Sequence, residues 1–137
     1  MADLKNMVHD IYAAMSKRDM EGFLSHISDD VIEHETPPVA DPLPGKGGVR
    51  QWFELIFSAF PDMDMSAEDT IIEGNKVAVR ARFVGTHQGE FMGIPATGKH
   101  VDLQVIDILR VDGGMVVEHW GLVDNAALME QLGMMPG

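Results

Sequence analysis

Apolar positions along the chain change their spacing near the middle. Leu4, Val8, Ile11, Tyr12 and Met15 recur every three or four residues, which predicts an amphipathic helix with Asp3 as its N-cap. A short second helix is expected over residues 20–27, ended by Ser-Asp-Asp, and Val31–Glu35 reads as a short strand. Residues 37–48 carry four prolines and three glycines and predict a covering loop. Val49–Phe60 is then a helix with Trp52, Phe53, Ile56 and Phe60 on its buried side. Beyond Pro61 the period falls to two. Residues 63–74 and 76–87 read as strands, the second with Val77, Val79, Ala81 and Phe83 on one face and Lys76, Arg80 and Arg82 on the other. A last helix is expected from Asp124 to Gly133.

The sharpest feature is a hairpin. Lys99–Val111 alternates, Asp112-Gly113-Gly114 turns, and Met115–Val123 returns, with the turn read as a three-residue loop. Pairing Val111 with Met115 sets Asp107 directly across from His119, their Cβ atoms about 5 Å apart. Val101, Leu103, Val105 and Leu109 share the face of Asp107, while Met115 and Val117 share that of His119. A carboxylate facing an imidazole on an apolar sheet face is a candidate acid/base pair. Trp120 points the other way, with Ile106 and Ile108 on the same outer face, which suggests a homodimer through that face.

Helices followed by hairpin-connected strands predict an α+β domain spanning residues 1–137, with a curved antiparallel sheet and N-terminal helices enclosing a cone-shaped pocket. The chain has no cysteine, which excludes disulfides, zinc-thiolate sites and thiol nucleophiles. A formal charge of −12 argues against nucleic acid and anionic membranes as partners. No run of about 18 apolar residues is present, and the opening residues MADLKNMVHDIY lack the pattern of a signal peptide. A cytoplasmic location is expected. The six histidines show no HxH or HExxH spacing, so neither a metal nor an organic cofactor is expected. Eleven methionines suit an adaptable apolar interior, with Met92 and Met115 placed where a pocket could use them.

The segment from Gly85 to Val101 (GTHQGEFMGIPATGKHV), followed by DILRVDGGMVVEHW and LMEQLG, resembles the SnoaL-like polyketide cyclase family of the nuclear transport factor 2-like superfamily. Ala59–Met63 (AFPDM) agrees with it. The resemblance implies an α+β cone and a cofactor-independent enzyme that cyclises or isomerises a small apolar, carbonyl-bearing substrate. Characterised cyclases of the family close a ring by aldol addition, with an aspartate on the final strand and a histidine on the strand before it. Here Gly121 stands at the aspartate's position and Asp107 at the histidine's, while His119 lies two residues before the glycine, so Asp107 and His119 are the implied catalytic pair. A polar residue on the first strand commonly reaches the pocket in this family. Period two admits only one of Glu33 and His34, and His34 is the residue assigned to substrate binding. Trp52 and Phe53 would floor the pocket. His87, Met92 and Val105 complete the expected substrate-binding set, and Tyr12, being in the first helix, is not expected there. The alternative is a non-catalytic module of the same fold that binds an apolar small molecule.

Overall fold

The computed structural model describes residues 3–134; Met1 and Ala2 of the opening segment and the last three residues lie outside them. Two helices, α1 (Leu4–Ser16) and α2 (Met20–Leu24), precede strand β1 (Ile27–Glu33) and helix α3 (Gly45–Ala59). Strands β2 (Asp64–Glu73), β3 (Lys76–Thr86), β4 (His100–Asp112) and β5 (Met115–Val123) follow, and α4 (Asn125–Gln131) closes the chain. The result is an α+β fold built on one curved, unclosed five-stranded sheet of order β1-β5-β4-β3-β2. All neighbouring pairs are antiparallel except β1–β5, which is parallel, so the sheet is mixed where an antiparallel one was expected.

Period-two alternation decides what the sheet buries. Val77, Val79, Ala81 and Phe83 of β3 and Val101, Leu103, Val105 and Leu109 of β4 are all buried against the helices. The α1 stripe of Val8, Ile11, Tyr12 and Met15 is buried with them, and Asp3 caps the helix by accepting from the N–H groups of Lys5 and Asn6. Ser16 pins the end of α1 to β2, since its hydroxyl donates to the Met65 carbonyl and accepts from the Met65 N–H, both at 2.9 Å.

Two boundaries differ from the sequence reading. Strand β1 starts at Ile27, because Ser28–Asp30 extend it where a helix end and turn were expected. Helix α3 starts at Gly45, inside the segment read as a loop. There Gly48 is required by close approach, since a Cβ on it would lie 2.3 Å from the Leu43 carbonyl oxygen.

The hairpin register also differs. Asp112 pairs with Met115, leaving a two-residue turn of Gly113 and Gly114 with φ of 59° and 77°. Positive φ at both central residues is what a type I′ hairpin demands. Between Arg110↔Glu118 and Val111↔Val116 the register shifts, so Val117 is the extra residue of a β-bulge. Val116 is therefore buried, where Met115 and Val117 were expected to face inward. Beyond the bulge Asp107 faces Gly121 and Leu109 faces His119. The slip relative to the expected pairing is two residues, and two residues return a side chain to the same face.

Gly113→Val should cost about 1–2 kcal/mol by forcing a β-branched residue into the left-handed region. In urea unfolding the midpoint should fall with the slope unchanged.

Candidate active site

The sheet and helices enclose a cavity of about 330 Å³. Its wall is apolar for most of its extent: Ile11, Met15, Phe23, Val49, Trp52, Phe53, Phe60, Leu103, Val105 and Leu128 all line it. At one place the lining turns polar, where Tyr12, Glu33, Glu35, Asp107 and His119 meet beside Gly121.

These side chains form a connected chain of hydrogen bonds. The Tyr12 hydroxyl donates to Asp107 Oδ2 at 2.5 Å. His119 Nε2 lies 2.8 Å from Asp107 Oδ1, and its Nδ1 lies 2.7 and 2.8 Å from the two oxygens of Glu33. Asp107 is 9% exposed, so the cluster is an interior one. Burial alone would lower the imidazole pKa, but hydrogen bonds and charges from Asp107 and Glu33 outweigh it and push His119 up to about 10. His119 is thus an imidazolium at neutral pH, with both N–H groups donating to carboxylates. Burial likewise drives the Tyr12 hydroxyl above its ordinary range, and the neighbouring charge and hydrogen bond of Asp107 drive it further. Glu35 is raised as well, first by burial. The His119 charge pulls it down, and Asp107 and Glu33 push it up again.

Local structure explains each placement. Asp107 is on the inward face of β4, and His119 reaches it diagonally from β5, two residues off direct opposition. Glu33 ends β1 directly alongside His119 on β5, with the parallel pairing continued by the His34 N–H donating to the His119 carbonyl. Glu35 follows the strand, its backbone N–H held by Glu33 Oε1 at 2.9 Å. Tyr12 enters because α1 turns its buried stripe toward the cone.

Of the residues singled out from sequence, Asp107, His119, Trp52, Phe53, Met92 and Val105 line the cavity. His34 does not. Period two admits one residue of the pair, and it is Glu33 that faces inward. His34 lies on the outer face with Ile32, bonded to Glu118 at 2.8 Å and stacked on Trp120 with ring centroids 4.9 Å apart. His87 is wholly buried but braces a loop: its Nδ1 accepts from the Thr97 N–H at 3.2 Å, and its ring packs on Phe60. Sequence reasoning missed Tyr12, Glu33 and Glu35. A lone tyrosine in a buried helical stripe was the available signal for the first, and the open choice at residues 33–34 for the second.

Glu33, Glu35 and His119 could each offer one ligand atom to a cation, within 4.8 Å of one another. Both imidazole nitrogens are already engaged by carboxylates, so a cation there would first have to break the Glu33–His119 contact. A proton occupies the cation's place in this arrangement. Among the described residues, no helix is long and apolar enough to cross a membrane.

Comparison with known proteins agrees with the geometry. The model of the SnoaL-like polyketide cyclase family matches residues 5–132. Aklanonic acid methyl ester cyclase DauD of Streptomyces sp. strain C5 is 27% identical over 135 residues, covering 96% of this chain and 80% of that protein. Among solved structures, AclR of Streptomyces galilaeus, a proposed hydroxylase, is 32% identical with a TM-score of 0.86, and 99% of each chain is covered. IdmH of Streptomyces antibioticus, a proposed polyketide cyclase, is 31% identical with a TM-score of 0.81, covering 96% of this chain and 99% of that one.

The raised pKa of His119 has a measurable consequence. Its ring resonances should not titrate between pH 5 and 8.5, and in Asp107→Asn the midpoint should drop, both read by NMR. Because the folded value lies above the unfolded one, the contribution to stability is complete below pH about 6.5. It is lost as pH climbs through about 10. A His119 midpoint near the ordinary value in the wild type would refute the clamped imidazolium.

Proposed function

Because the chain belongs to the SnoaL-like polyketide cyclase family, we propose that it is a cofactor-independent enzyme that cyclises or isomerises a small apolar, carbonyl-bearing substrate within the cone. One observation carries this reading: a connected set of charged groups lies at one end of an otherwise apolar cavity, facing its lumen. An apolar ligand needs no such set. Several charges buried together oppose folding unless they are paired, and a site that only holds an apolar molecule is served by apolar walls and a few fixed polar groups. The binding-module alternative leaves the cluster without a purpose.

Asp107 and His119 are the acid/base pair. Asp107 is the base, taking a proton from carbon beside a carbonyl group. His119, protonated, aims Asp107 through the hydrogen bond at Nε2, and its charge offsets that of the enolate formed next to it. The Tyr12 hydroxyl fixes the second carboxylate oxygen. Positioned acid/base catalysis of this kind is worth about 10²–10⁴ in rate. The aklanonic acid methyl ester cyclases supply a substrate class, a methyl ester that undergoes ring closure. A cavity of 330 Å³ lies in the range of small-molecule sites, roughly 300–1,000 Å³. Trp52, Phe53, Met92 and Val105 are the substrate-contacting walls.

The same reading includes a homodimer. Ile106, Ile108 and Leu122 are 41%, 36% and 73% exposed on the outer sheet face, next to half-buried Trp120. Three large aliphatic side chains on one sheet face are the composition of a covered surface.

Asp107→Asn should lower turnover of aklanonic acid methyl ester by about 10²–10⁴, with binding retained. The product should have the mass of the substrate; a gain of one oxygen would favour the hydroxylase activity proposed for AclR. Turnover should survive chelation by EDTA, and a loss restored by a divalent cation would reassign the cluster. For assembly, Ile106→Asp with Leu122→Asp should convert a dimer to a monomer in sedimentation, and a wild-type monomer would remove the dimer from the reading.

A further inference from the structure

Gly121 carries no side chain at a place where the strand presents one to the cavity, directly opposite Asp107. That place is not empty. A Cβ built on Gly121 would lie 2.8 Å from Glu35 Cδ and 2.9 Å from each carboxyl oxygen. Contacts under 3.0 Å are essentially never made by real Cβ atoms, so a side chain at 121 would require the Glu35 carboxyl, the end of a flexible side chain, to move aside. The carboxyl of Glu35 has arrived at the β5 inner face from the end of β1, tethered by the backbone bonds of His34 and Glu35.

The other polar groups of the site are committed to one another. Both oxygens of Asp107 are bonded, one by Tyr12 and one by His119. Both nitrogens of His119 are spent, and Glu33 holds His119 and the Glu35 N–H. The Tyr12 hydroxyl is held by Asp107 and made a weaker acid by burial and by that carboxylate. The Glu35 carboxyl lines the cavity and has no hydrogen-bond partner among the described residues. It is the proton donor left free to meet a substrate, while each Asp107 oxygen, holding one hydrogen bond, keeps a second lone pair for an incoming proton.

Its protonation suits the task. With Asp107 and Glu33 ionised and His119 protonated, the cluster already carries a net negative charge, and ionising Glu35 adds another. Burial raises the Glu35 carboxyl above its ordinary value, and these two carboxylates add to the rise against the opposing charge of His119.

We propose that Glu35 is the proton donor of this site, delivering its proton to the substrate's carbonyl oxygen from the position that a side chain on residue 121 would otherwise occupy. The inference rests on the acid/base reading of the preceding section and extends it. In an aldol closure, Asp107 takes a proton from the carbon beside one carbonyl and leaves an enolate. The enolate carbon bonds to a second carbonyl carbon, whose C=O π electrons move onto oxygen. Glu35 protonates that oxygen and becomes a carboxylate. The substrate gains and loses one proton and no electrons, so the product is an isomer. Asp107 then holds the proton taken from carbon while Glu35 lacks the one it gave to oxygen, and exchange with solvent after product release restores both.

The test has two arms on the full chain. In the first, the side-chain carboxyl ¹³C signal of Glu35 is titrated. Its midpoint should lie above the ordinary glutamate value of about 4.3 and fall in Asp107→Asn; a midpoint at or below the ordinary value overturns the proposal. In the second, aklanonic acid methyl ester is the probe. Glu35→Ala should lower kcat by about 10²-fold or more, with KM changed less than about threefold. Glu35→Gln, which keeps the shape and loses the proton, should be as slow. The double variant Glu35→Ala/Gly121→Asp returns a carboxyl to the same place from the other strand and should regain at least about tenfold over Glu35→Ala. A folded Glu35→Ala with wild-type kcat, or a folded double variant with no regain, overturns the assignment. A wild-type chain inert toward the probe overturns the reaction reading instead, and the carboxyl titration still decides the state of Glu35.

Discussion

An imidazolium clamped between two carboxylates is the interaction on which the polar end of this molecule depends. Glu33 lies on β1, Asp107 on β4 and His119 on β5 between them, so one protonated ring bridges three adjacent strands through side chains as well as through the sheet. Two negative charges inside an apolar cone would repel each other and resist desolvation. A positive charge between them, with an N–H for each, removes most of that cost. Losing His119 leaves two buried carboxylates without a counter-charge, and losing either carboxylate leaves an imidazolium N–H without its acceptor. The parallel β1–β5 pairing is the local exception in an otherwise antiparallel sheet, and it is what sets Glu33 level with His119.

The cone supplies what the clamp cannot, an apolar volume bounded by aromatic and aliphatic side chains from α1, α3, β3, β4 and β5. In that setting charge–charge interactions are stronger than in water, and a proton's position on a carboxyl becomes a question of neighbours. A named cyclase and a proposed hydroxylase are both similar to this chain, and a fold alone does not fix a reaction. Activity therefore has to be argued from the side chains at the polar end.

Much of this was legible in the sequence because alternation survives small errors. The β3 and β4 faces follow from period two alone, and Asp107 with His119 shares an inward face in either register, since the true and expected pairings differ by two residues. The bulge at Val117 was not legible; an extra residue leaves no mark in an apolar run such as Met115–Val117, where any of the three could face the core. The choice between Glu33 and His34 turned on the parity of a strand whose start was misplaced. Polar Ser28–Asp30 hid its first half, and Ile32, which shares the face of His34, is 49% exposed. Tyr12 was read as helix packing because its apolar ring fits the stripe and its hydroxyl finds a partner 95 residues away. Glu35 follows the strand, where no period applies.

The bulge has a further meaning for how this chain can change. Strand β5 is a two-sided ribbon: His119 and Gly121 look into the cavity, while Trp120 looks outward against His34. Val117 sets the phase between the buried Val116 and everything after it. Loss of that single residue would leave a regular ladder with His119 still opposite Leu109, whereas one residue more at that point would turn the rest of the ribbon over, sending the imidazole to solvent and an indole into the cone. Chemistry and outer surface are thus written in alternate letters of one line. Substitutions can edit either text alone, but an insertion must rewrite both at once.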